Sequence, residues 1–365
     1  MFKGNQVNFA GQTIFVGLDV HKTNWKVCVV YNGEKAASFA QDPDGKQLIK
    51  TLKDKFPGIE KINLVYEAGF SGFGAYRLFK ELNVDCIVVN AADIPTSDKD
   101  RKTKTDKRDA RKLAFECSKG TLQGIYVPDE KIEAIRALVR YRKSMVNDRT
   151  ATINRLKHYL MCYSLPVEEK LAELTKQVIC RLREIELTVQ SKEFTLGHLL
   201  DEYEHRSTVI VQITNKLEGL IRQNEELREI HDLLRSVDGV GLITALTLQT
   251  ELIDMKRFKN KDLLCSYVGL VPDIYSSNDK YSRLGMTNRA NKHIKPILIE
   301  ASWSAIKKDP ALKELYYRYK DKMPANKAII RIAKHLLLRI RAVWVNKEVY
   351  QRGMLSPLKE PAIAA

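Results

Sequence analysis

The sequence predicts a protein of the α/β plus α class, with a mixed-sheet domain first and two mainly helical regions after it. Short apolar, β-branched runs alternate with helical patterns in the first third of the chain, whereas long helical patterns fill the rest. We place the sheet domain at residues 1–125, a helical region at 126–232, a C-terminal domain at 233–351 and a loose tail at 352–365.

Five short runs predict the strands of the sheet. TIFVGLDV, WKVCVVY and the weaker EKAASFAQD come first, and the NGE turn makes the second and third runs hairpin partners. KINLVYEA and DCIVVNA follow, each after a helical pattern, GKQLIKTLKDKF and GFGAYRLFKEL. Strands joined by turns, followed by strands joined through helices, predict a mixed sheet.

Two long helical patterns predict the middle region. The first, from about Ile132, carries basic residues on its polar face and is broken at Pro166. The second runs from about Asp201 to Arg235, with Asn224 and His231 in its apolar seam. Its apolar seam residues follow heptad spacing: Ile213, Leu217, Leu220, Leu227 and Leu234. This pattern fits either a coiled coil that joins protomers or one helix packed against its own domain.

The C-terminal region begins with a glycine turn between two helical patterns. In SVDGVGLITAL the turn holds Gly239 and Gly241, as in a helix-hairpin-helix, where backbone N–H groups approach a phosphate. A plain helix–turn–helix connection is the alternative. Residues Ser266 to Thr287 are rich in polar residues and glycine and predict a loop. Two helical stretches close the domain, the first delayed or kinked by Pro296.

The composition indicates a polyanionic partner. The formal net charge is +16, which favours nucleic acid over an anionic membrane. The six cysteines form no C-x-x-C pair, so they predict small buried residues in a reducing compartment and not a zinc ribbon or a disulfide framework. No apolar run approaches the ~18 residues of a membrane span, and MFKGNQVNFAGQ lacks an apolar signal core. We therefore expect a soluble cytoplasmic protein.

Four acidic residues are candidates for a metal site. Asp19 and Glu67 end two predicted strands, and Asp106 and Asp109 lie three residues apart in KTKTDKRDARKLAF, on one face of a helix. Acids at the ends of neighbouring strands and on a crossing helix can converge. Four hard oxygen ligands suit one or two Mg²⁺ or Mn²⁺ ions in phosphodiester chemistry. This strand-strand-helix order describes the acidic cluster of a ribonuclease H-like fold, whereas the plainer alternative is two acids that soften a solvated basic helix.

Basic residues in three places would contact nucleic-acid backbones. Around the acids they are Lys22, Lys99, Arg101, Lys102, Lys104, Lys107, Arg108, Arg111 and Lys112. On the first long helix they are Arg140, Arg142, Lys143, Arg149, Arg155 and Lys157. Near the C-terminal loop they are Arg289 and Lys292, with Gly239 and Gly241 as backbone donors.

Several motifs, in order along the chain, resemble one family. FVGLDVHKTNWKVCVV, VYEAG, KTDKRDARKLA, SVDGVGLITALTLQTEL, SYVGLVPDIYSS and LGMTNRANKHIKPILIEA look like DEDD-type insertion-sequence transposases whose recombination is guided by a non-coding bridge RNA. The likeness covers about Ile14 to Tyr350. It implies a RuvC-like N-terminal domain, a coiled-coil middle and a C-terminal transposase domain. It also implies a metal-binding tetrad of Asp19, Glu67, Asp106 and Asp109.

The resemblance further implies a serine nucleophile that becomes linked to DNA. The family's loop reads G-L-x-P, a few residues and Ser-Gly, so GLVPDIYSSND places Ser277 at the serine, with Ser276 as the other candidate. The plainer alternative is a turn hydroxyl bonded to local backbone. The chain departs from the family pattern at four positions: Asn278 for glycine, Asn288 and Ala290 in the Lys-x-Gly-Asn motif, and Pro296 for a basic residue.

We therefore expect a DNA recombinase encoded by a prokaryotic mobile element, cytoplasmic and associated with the nucleoid. Its partners would be donor and target DNA, a bridge RNA and further copies of the chain, as a dimer that becomes a tetramer on DNA, and no membrane. Two alternatives stay open. One is a junction-resolving nuclease in which metal-activated water attacks and Ser277 is incidental; the other is a non-catalytic nucleic-acid-binding protein.

Overall fold

The chain divides into two compact units, Met1–Val127 and Pro128–Ala365. The computed structural model describes residues 9–69, 71–95, 106–165, 174–277, 280–287 and 290–352. Within these ranges no helix has both the length and the apolar character needed to cross a membrane. Of the predicted loose tail, only Arg352 lies among the described residues, and its Nε donates to Asp238 Oδ2 at 2.6 Å.

The first unit is built on a five-stranded mixed sheet. Its strands are β1 (Thr13–Val20), β2 (Trp25–Tyr31), β3 (Glu34–Gln41), β4 (Lys61–Glu67) and β5 (Asp85–Val89). Its helices are α1 (Gly45–Lys55), α2 (Gly74–Glu81) and α3 (Asp106–Ser118). The strand order is β3-β2-β1-β4-β5, with β1 antiparallel to β2 and parallel to β4. The predicted mixed sheet is confirmed, and its order agrees with a ribonuclease H-like layout.

Helices cover both faces of this sheet, which explains why β1, β2 and β4 are apolar along most of their length. On one face, Leu48 of α1 and Phe79 of α2 are fully buried in a core with Leu18 and other strand residues. On the other face, Ala110 and Ala114 of α3 pack with residues of β2. The edge strand β3 has only one helix-covered side and alternates between exposed and half-buried residues.

The second unit is mainly helical. Its helices are α4 (Glu130–Cys162), α5 (Lys176–Arg183), α6 (Gln190–Gln223), α7 (Glu225–Arg235), α8 (Leu242–Leu252), α9 (Lys261–Val268), α10 (Ile294–Lys308), α11 (Pro310–Lys320) and α12 (Ala325–Asn346). Between α9 and α10 stands an antiparallel hairpin of β6 (Pro272–Ser277) and β7 (Lys280–Met286). The prediction of a loop over Ser266 to Thr287 is therefore wrong. Pro296 lies in the first turn of α10, where no intrahelical N–H bond is needed.

Helices α4 and α6 form a long antiparallel pair. Arg142 Nε donates to Thr214 Oγ1 at 2.8 Å near one end, and Arg155 Nη1 lies 3.3 Å from Glu202 Oε2 toward the other. At that second end the short helix α5 joins them in a common apolar cluster with Leu156. Contacts within one chain therefore hold the two helices together.

The apolar residues predicted to form a coiled-coil seam pack against other helices of the same chain. Ile213 and Leu217 of α6 pack in one cluster with Ile135 of α4 and Leu246 of α8. Asn224 does not lie in a continuous seam: it ends α6 and caps α7, its Oδ1 accepting from Leu227 N at 2.9 Å. The described residues thus support the alternative of helices packed against their own domain, and a coiled coil is not confirmed.

The cysteines differ in burial. Cys28, Cys86 and Cys265 are buried as predicted, whereas Cys162 and Cys180 are exposed, so the prediction is wrong for those two. Burial raises the pKa of the Cys86 thiol to about 12, which keeps it protonated and unreactive at neutral pH.

Candidate functional site

The strand pairing places two of the predicted acids side by side. In the parallel pair β1–β4, Leu18 is opposite Tyr66, so the next residues along the two strands are Asp19 and Glu67. The Asp19 side chain is 22% exposed, and its Oδ2 lies 3.4 Å from His21 Nε2. Carboxyl ends of adjacent parallel strands form one edge of a sheet. The backbone register thus puts the two acids on neighbouring strands, and the convergence of their carboxylates stays a prediction.

A glycine lets helix α3 lie directly on strand β1. A Cβ at Gly17 would lie 2.1 Å from Ala110 O and 2.4 Å from Ala114 N, distances that no side chain tolerates. The helix backbone therefore rests directly on β1, two residues before Asp19, and Asp109 immediately precedes the contact at Ala110. We call Asp19, Glu67 and Asp109 together the acidic edge.

The fourth acid, Asp106, is the first residue of α3, and its side chain lies outside the described residues. Among the side chains that are described, no three His, Cys, Asp or Glu residues stand together as a metal-binding group. The fold thus sets Asp19 and Glu67 on neighbouring strands and packs the helix of Asp109 against β1, and a shared ligand set of four acids stays a prediction. Carboxylate oxygens at a sheet edge are the donor type that Mg²⁺ and Mn²⁺ prefer.

Replacing Gly17 by alanine is expected to destabilise the first unit by about 3 kcal/mol, because the new methyl group meets helix backbone and not a movable side chain. Urea unfolding of the full chain measures this loss. Gly74, the first residue of α2, has no atom within 4 Å of its ideal Cβ and serves as the control. Gly74→Ala should leave stability unchanged or raise it. Equal midpoints for the two variants would contradict the close packing of α3 on β1.

The basic residues predicted around the acids are only partly described. Lys99, Arg101, Lys102 and Lys104 lie outside the described residues, as does the side chain of Lys107.

The remaining four are among the described residues. Lys22 and Arg108 are exposed, and Arg111 is exposed with its guanidinium over the Phe115 ring at 5.3 Å. Lys112 is half-buried. Arg108, Arg111 and Lys112 place positive charge on α3, the helix that carries Asp109, and positive charge attracts a phosphate backbone.

The basic residues of α4 fall into two groups. Lys143 is exposed, and Arg149 and Lys157 are half-buried on the same helix. Arg140 and Arg142, in contrast, are engaged within the chain, Arg142 with Thr214 as above and Arg140 with a buried carboxylate. The two arginines therefore have structural partners that sequence reasoning did not anticipate.

The two turn glycines have different surroundings. Gly239 has φ +86°, and a Cβ there would lie 2.3 Å from Ala301 O of α10, so protein packing accounts for this glycine. Gly241 precedes α8 with no atom within 4 Å of its ideal Cβ. Of the pair, only Gly241 has open space beside it.

The proposed nucleophile lies at the end of the β6–β7 hairpin, which we call the serine hairpin (Pro272–Met286). Ser277 is the last residue of β6 and pairs with Lys280, and Ser276 pairs with Tyr281. The side chains of both serines, and residues Asn278, Asn288 and Arg289, lie outside the described residues. Lys292, after the hairpin, is exposed.

A buried glutamate is hydrogen-bonded to residues that precede and follow the serine hairpin in the chain. Glu251 of α8 is 1% exposed. Arg140 donates two hydrogen bonds to its carboxylate, from Nε to Oε1 at 2.7 Å and from Nη2 to Oε2 at 2.8 Å. Asn291 Nδ2 donates to the same Oε2 at 2.9 Å. Burial alone would raise the pKa of Glu251, but the bonds from Arg140 and Asn291 outweigh it and hold the pKa below its usual value. The carboxylate is therefore charged at neutral pH.

Two of its neighbours stand at the two ends of the hairpin. Tyr267 belongs to α9, just before β6, and its hydroxyl donates to Glu251 O at 3.2 Å. Asn291 follows β7, and its N–H donates to Tyr267 O at 3.0 Å. We call Arg140, Glu251, Tyr267 and Asn291 the Glu251 cluster. Sequence reasoning missed it, although a glutamate within the otherwise uncharged run ITALTLQTEL was a signal of a buried ion pair.

Comparison with known proteins identifies the class. One family model of DEDD transposases of the IS110 type, described as "Transposase", matches residues 16–164. A second, described as "Transposase IS116/IS110/IS902 family", matches residues 231–317. The chain is 31% identical to the Sinorhizobium fredii protein y4qE, named as a candidate transposase, over 80% of this chain and 71% of that protein.

Two further relatives are named as transposases of insertion sequence elements. That of IS1533 from Leptospira borgpetersenii is 29% identical, covering 80% of this chain and 84% of the relative. That of IS1111A from Coxiella burnetii is 23% identical, covering 93% and 91%. These matches define a transposase, an enzyme that cleaves and rejoins DNA. The chain belongs to the IS110/IS116/IS902 family of transposases, which confirms the resemblance at the level of the family.

Proposed function

We propose that this transposase binds a divalent ion through the acidic edge and Asp106, attacks DNA with Ser277 and selects its DNA with a guide RNA. The close packing of α3 on Gly17 is the observation that supports the first part, because it holds the helix that carries Asp109 against β1, the strand that contains Asp19 and lies beside the strand that ends at Glu67. Mg²⁺ fits these oxygen donors, and Mn²⁺ is the natural substitute. Bound there, the ion would supply electrostatic stabilisation of phosphate oxygens.

Ser277 would carry the covalent step. Its Oγ forms a bond to phosphorus, the bond from phosphorus to one deoxyribose oxygen breaks, and the hydroxyl proton passes to a base while the released oxygen takes up a proton. The resulting serine–DNA phosphodiester keeps the number of ester bonds constant. A deoxyribose hydroxyl of another strand can then displace the serine, so that cleaved DNA is rejoined without an added energy source.

RNA guidance and assembly form the other part of the proposal. The net charge of +16 supports binding of more than one nucleic acid. Exchange between a donor and a target DNA cleaves strands at two places, which calls for at least two subunits, a dimer that becomes a tetramer on DNA. Since Ile213 and Leu217 pack inside the chain, subunits would join through other surfaces.

Omission experiments test these requirements. The substrate is a plasmid that carries the mobile element with its flanking DNA, supplied with RNA transcribed from the flanks. Strand exchange, measured by amplification across the new junctions, should stop when EDTA removes the metal and return with Mg²⁺ or Mn²⁺. It should also stop when the RNA is omitted. DNA binding, followed by fluorescence anisotropy, is the control. Exchange that persists in EDTA, or without RNA, would overturn the corresponding requirement.

A further inference from the structure

Residues at both ends of the serine hairpin are hydrogen-bonded to the same buried residue, Glu251. At the entry, Tyr267 donates its hydroxyl to the backbone oxygen of Glu251. At the exit, Asn291 donates Nδ2 to the Glu251 side chain and, at 3.4 Å, to the Tyr267 hydroxyl. Between these points, Thr287 N donates to Val271 O at 3.3 Å and closes the base of the hairpin. A shift of either strand would therefore disturb bonds to Glu251.

Asn291 has two separable tasks. Its Oδ1 caps α10 by accepting from His293 N at 2.9 Å and Ile294 N at 3.1 Å. Because Oδ1 is committed to backbone donors, Nδ2 is the atom that faces Glu251, so the network fixes the orientation of the amide. An aspartate at this position would keep the cap and lose the donated bond, which allows the two tasks to be tested apart.

The cluster also connects the hairpin to the long helix α4. Arg140 holds both oxygens of Glu251 in a bidentate pair, a geometry that fixes position as well as charge. A buried carboxylate without its arginine would be left as an uncompensated charge, so the bond between Arg140 and Glu251 is strongly favoured. Burial and the nearby Arg140 lower the pKa of His293, which keeps that side chain neutral and leaves Arg140 as the cation on Glu251.

We propose that Asn291 and Glu251 are positioning residues that set where the serine hairpin presents Ser277 to DNA; this inference rests on the proposed role of Ser277 as nucleophile. Neither residue touches the reacting atoms. They act by holding both ends of the hairpin on α8 and, through Arg140, on α4. A displacement of about 1 Å at a reacting group costs roughly 100-fold in rate, so small errors at the base of the hairpin have large effects at its end.

The test compares two matched substitutions, Asn291→Asp and Asn260→Asp. Asn260 caps α9 with its Oδ1, at 3.1 Å from Asp262 N and 2.9 Å from Leu263 N, and it is exposed. Both changes add one negative charge and keep an oxygen that can cap the helix. The rate of covalent protein–DNA adduct formation should fall about 100-fold in Asn291→Asp and stay near wild type in Asn260→Asp. DNA binding, measured alongside, should remain close to wild type in both, and any drop in the unfolding temperature of Asn291→Asp, caused by a second carboxylate beside Glu251, should be reversed at acidic pH.

A pH profile separates positioning from simple damage. When the pH is lowered, the carboxyl introduced by Asn291→Asp takes up a proton and can again donate to Glu251. The adduct rate of this variant should therefore rise, relative to wild type, toward acidic pH. Tyr267→Phe removes the hydroxyl bond at the other end and should slow adduct formation by a smaller factor, with binding retained.

Three results would overturn the inference. An adduct rate in Asn291→Asp equal to that of Asn260→Asp would show that the bond to Glu251 has no effect on the nucleophile. A parallel loss of DNA binding, or of the fold in the melting curve, with no recovery at low pH would indicate a purely structural role. If wild-type protein cuts DNA without forming any adduct, the nucleophile assignment fails, and the positioning role fails with it.

Discussion

Asp19→Asn is expected to lower DNA strand cleavage by about 1,000-fold or more while DNA binding is retained. The substitution keeps the size of the side chain and removes the charge that a divalent ion needs from the central strand β1. Cleavage of the element-carrying plasmid measures the first effect, and fluorescence anisotropy with labelled duplex measures the second.

The matched control is Asp85→Asn. Asp85 begins β5 of the same sheet, at the opposite edge, and pairs with Lys61, with 2.9 Å between Oδ2 and Nζ. The hydrogen bond and charge of Lys61 lower the pKa of Asp85, but the pair is exposed and contributes little to stability. Cleavage by this variant should equal wild type. If Asp19→Asn cleaves at the wild-type rate as well, the acidic edge is not a catalytic metal site.

Ser277→Ala is expected to abolish the covalent protein–DNA adduct. The hydroxyl is the atom that would bond to phosphorus, and alanine offers no substitute nucleophile. The assay incubates protein, RNA and plasmid, denatures the mixture and separates protein-linked DNA on a gel. Loss should exceed about 1,000-fold, which places the adduct below detection.

Ser276→Ala, one residue earlier in β6, is the control and should leave the adduct in place. The reverse pattern would transfer the nucleophile to Ser276. Cleavage that continues in Ser277→Ala without an adduct would favour attack by water at the metal site and make the serine incidental.

The first unit was predictable because its signals are local. Runs such as TIFVGLDV and WKVCVVY are apolar and β-branched, and their bounds in the structure are those read from the sequence. The ends of β1 and β4 then fixed the positions of Asp19 and Glu67. The packing of Gly17 on α3 could not be read this way, because a glycine inside a strand does not reveal which element approaches it.

Several features of the second unit could not be predicted from the sequence. The serine hairpin has a polar sequence without strict alternation, so its strand pairing depends on contacts that are distant in the chain. Asn224 fits a coiled-coil seam by spacing, and only the three-dimensional path shows that it ends one helix and caps the next. Arg140 was assigned to nucleic acid by its place on a basic helix, yet 111 positions separate it from the buried Glu251 that it holds.

The bond between Arg140 and Glu251 also limits where this enzyme can be truncated and which segments can be exchanged with those of its relatives. A fragment that begins at residue 233 would retain α8 but lose Ile135 and Val139, which cover Leu246, and would leave an anionic side chain in an apolar interior without its guanidinium. Truncation or swapping of the C-terminal half therefore has to carry the start of α4 with it.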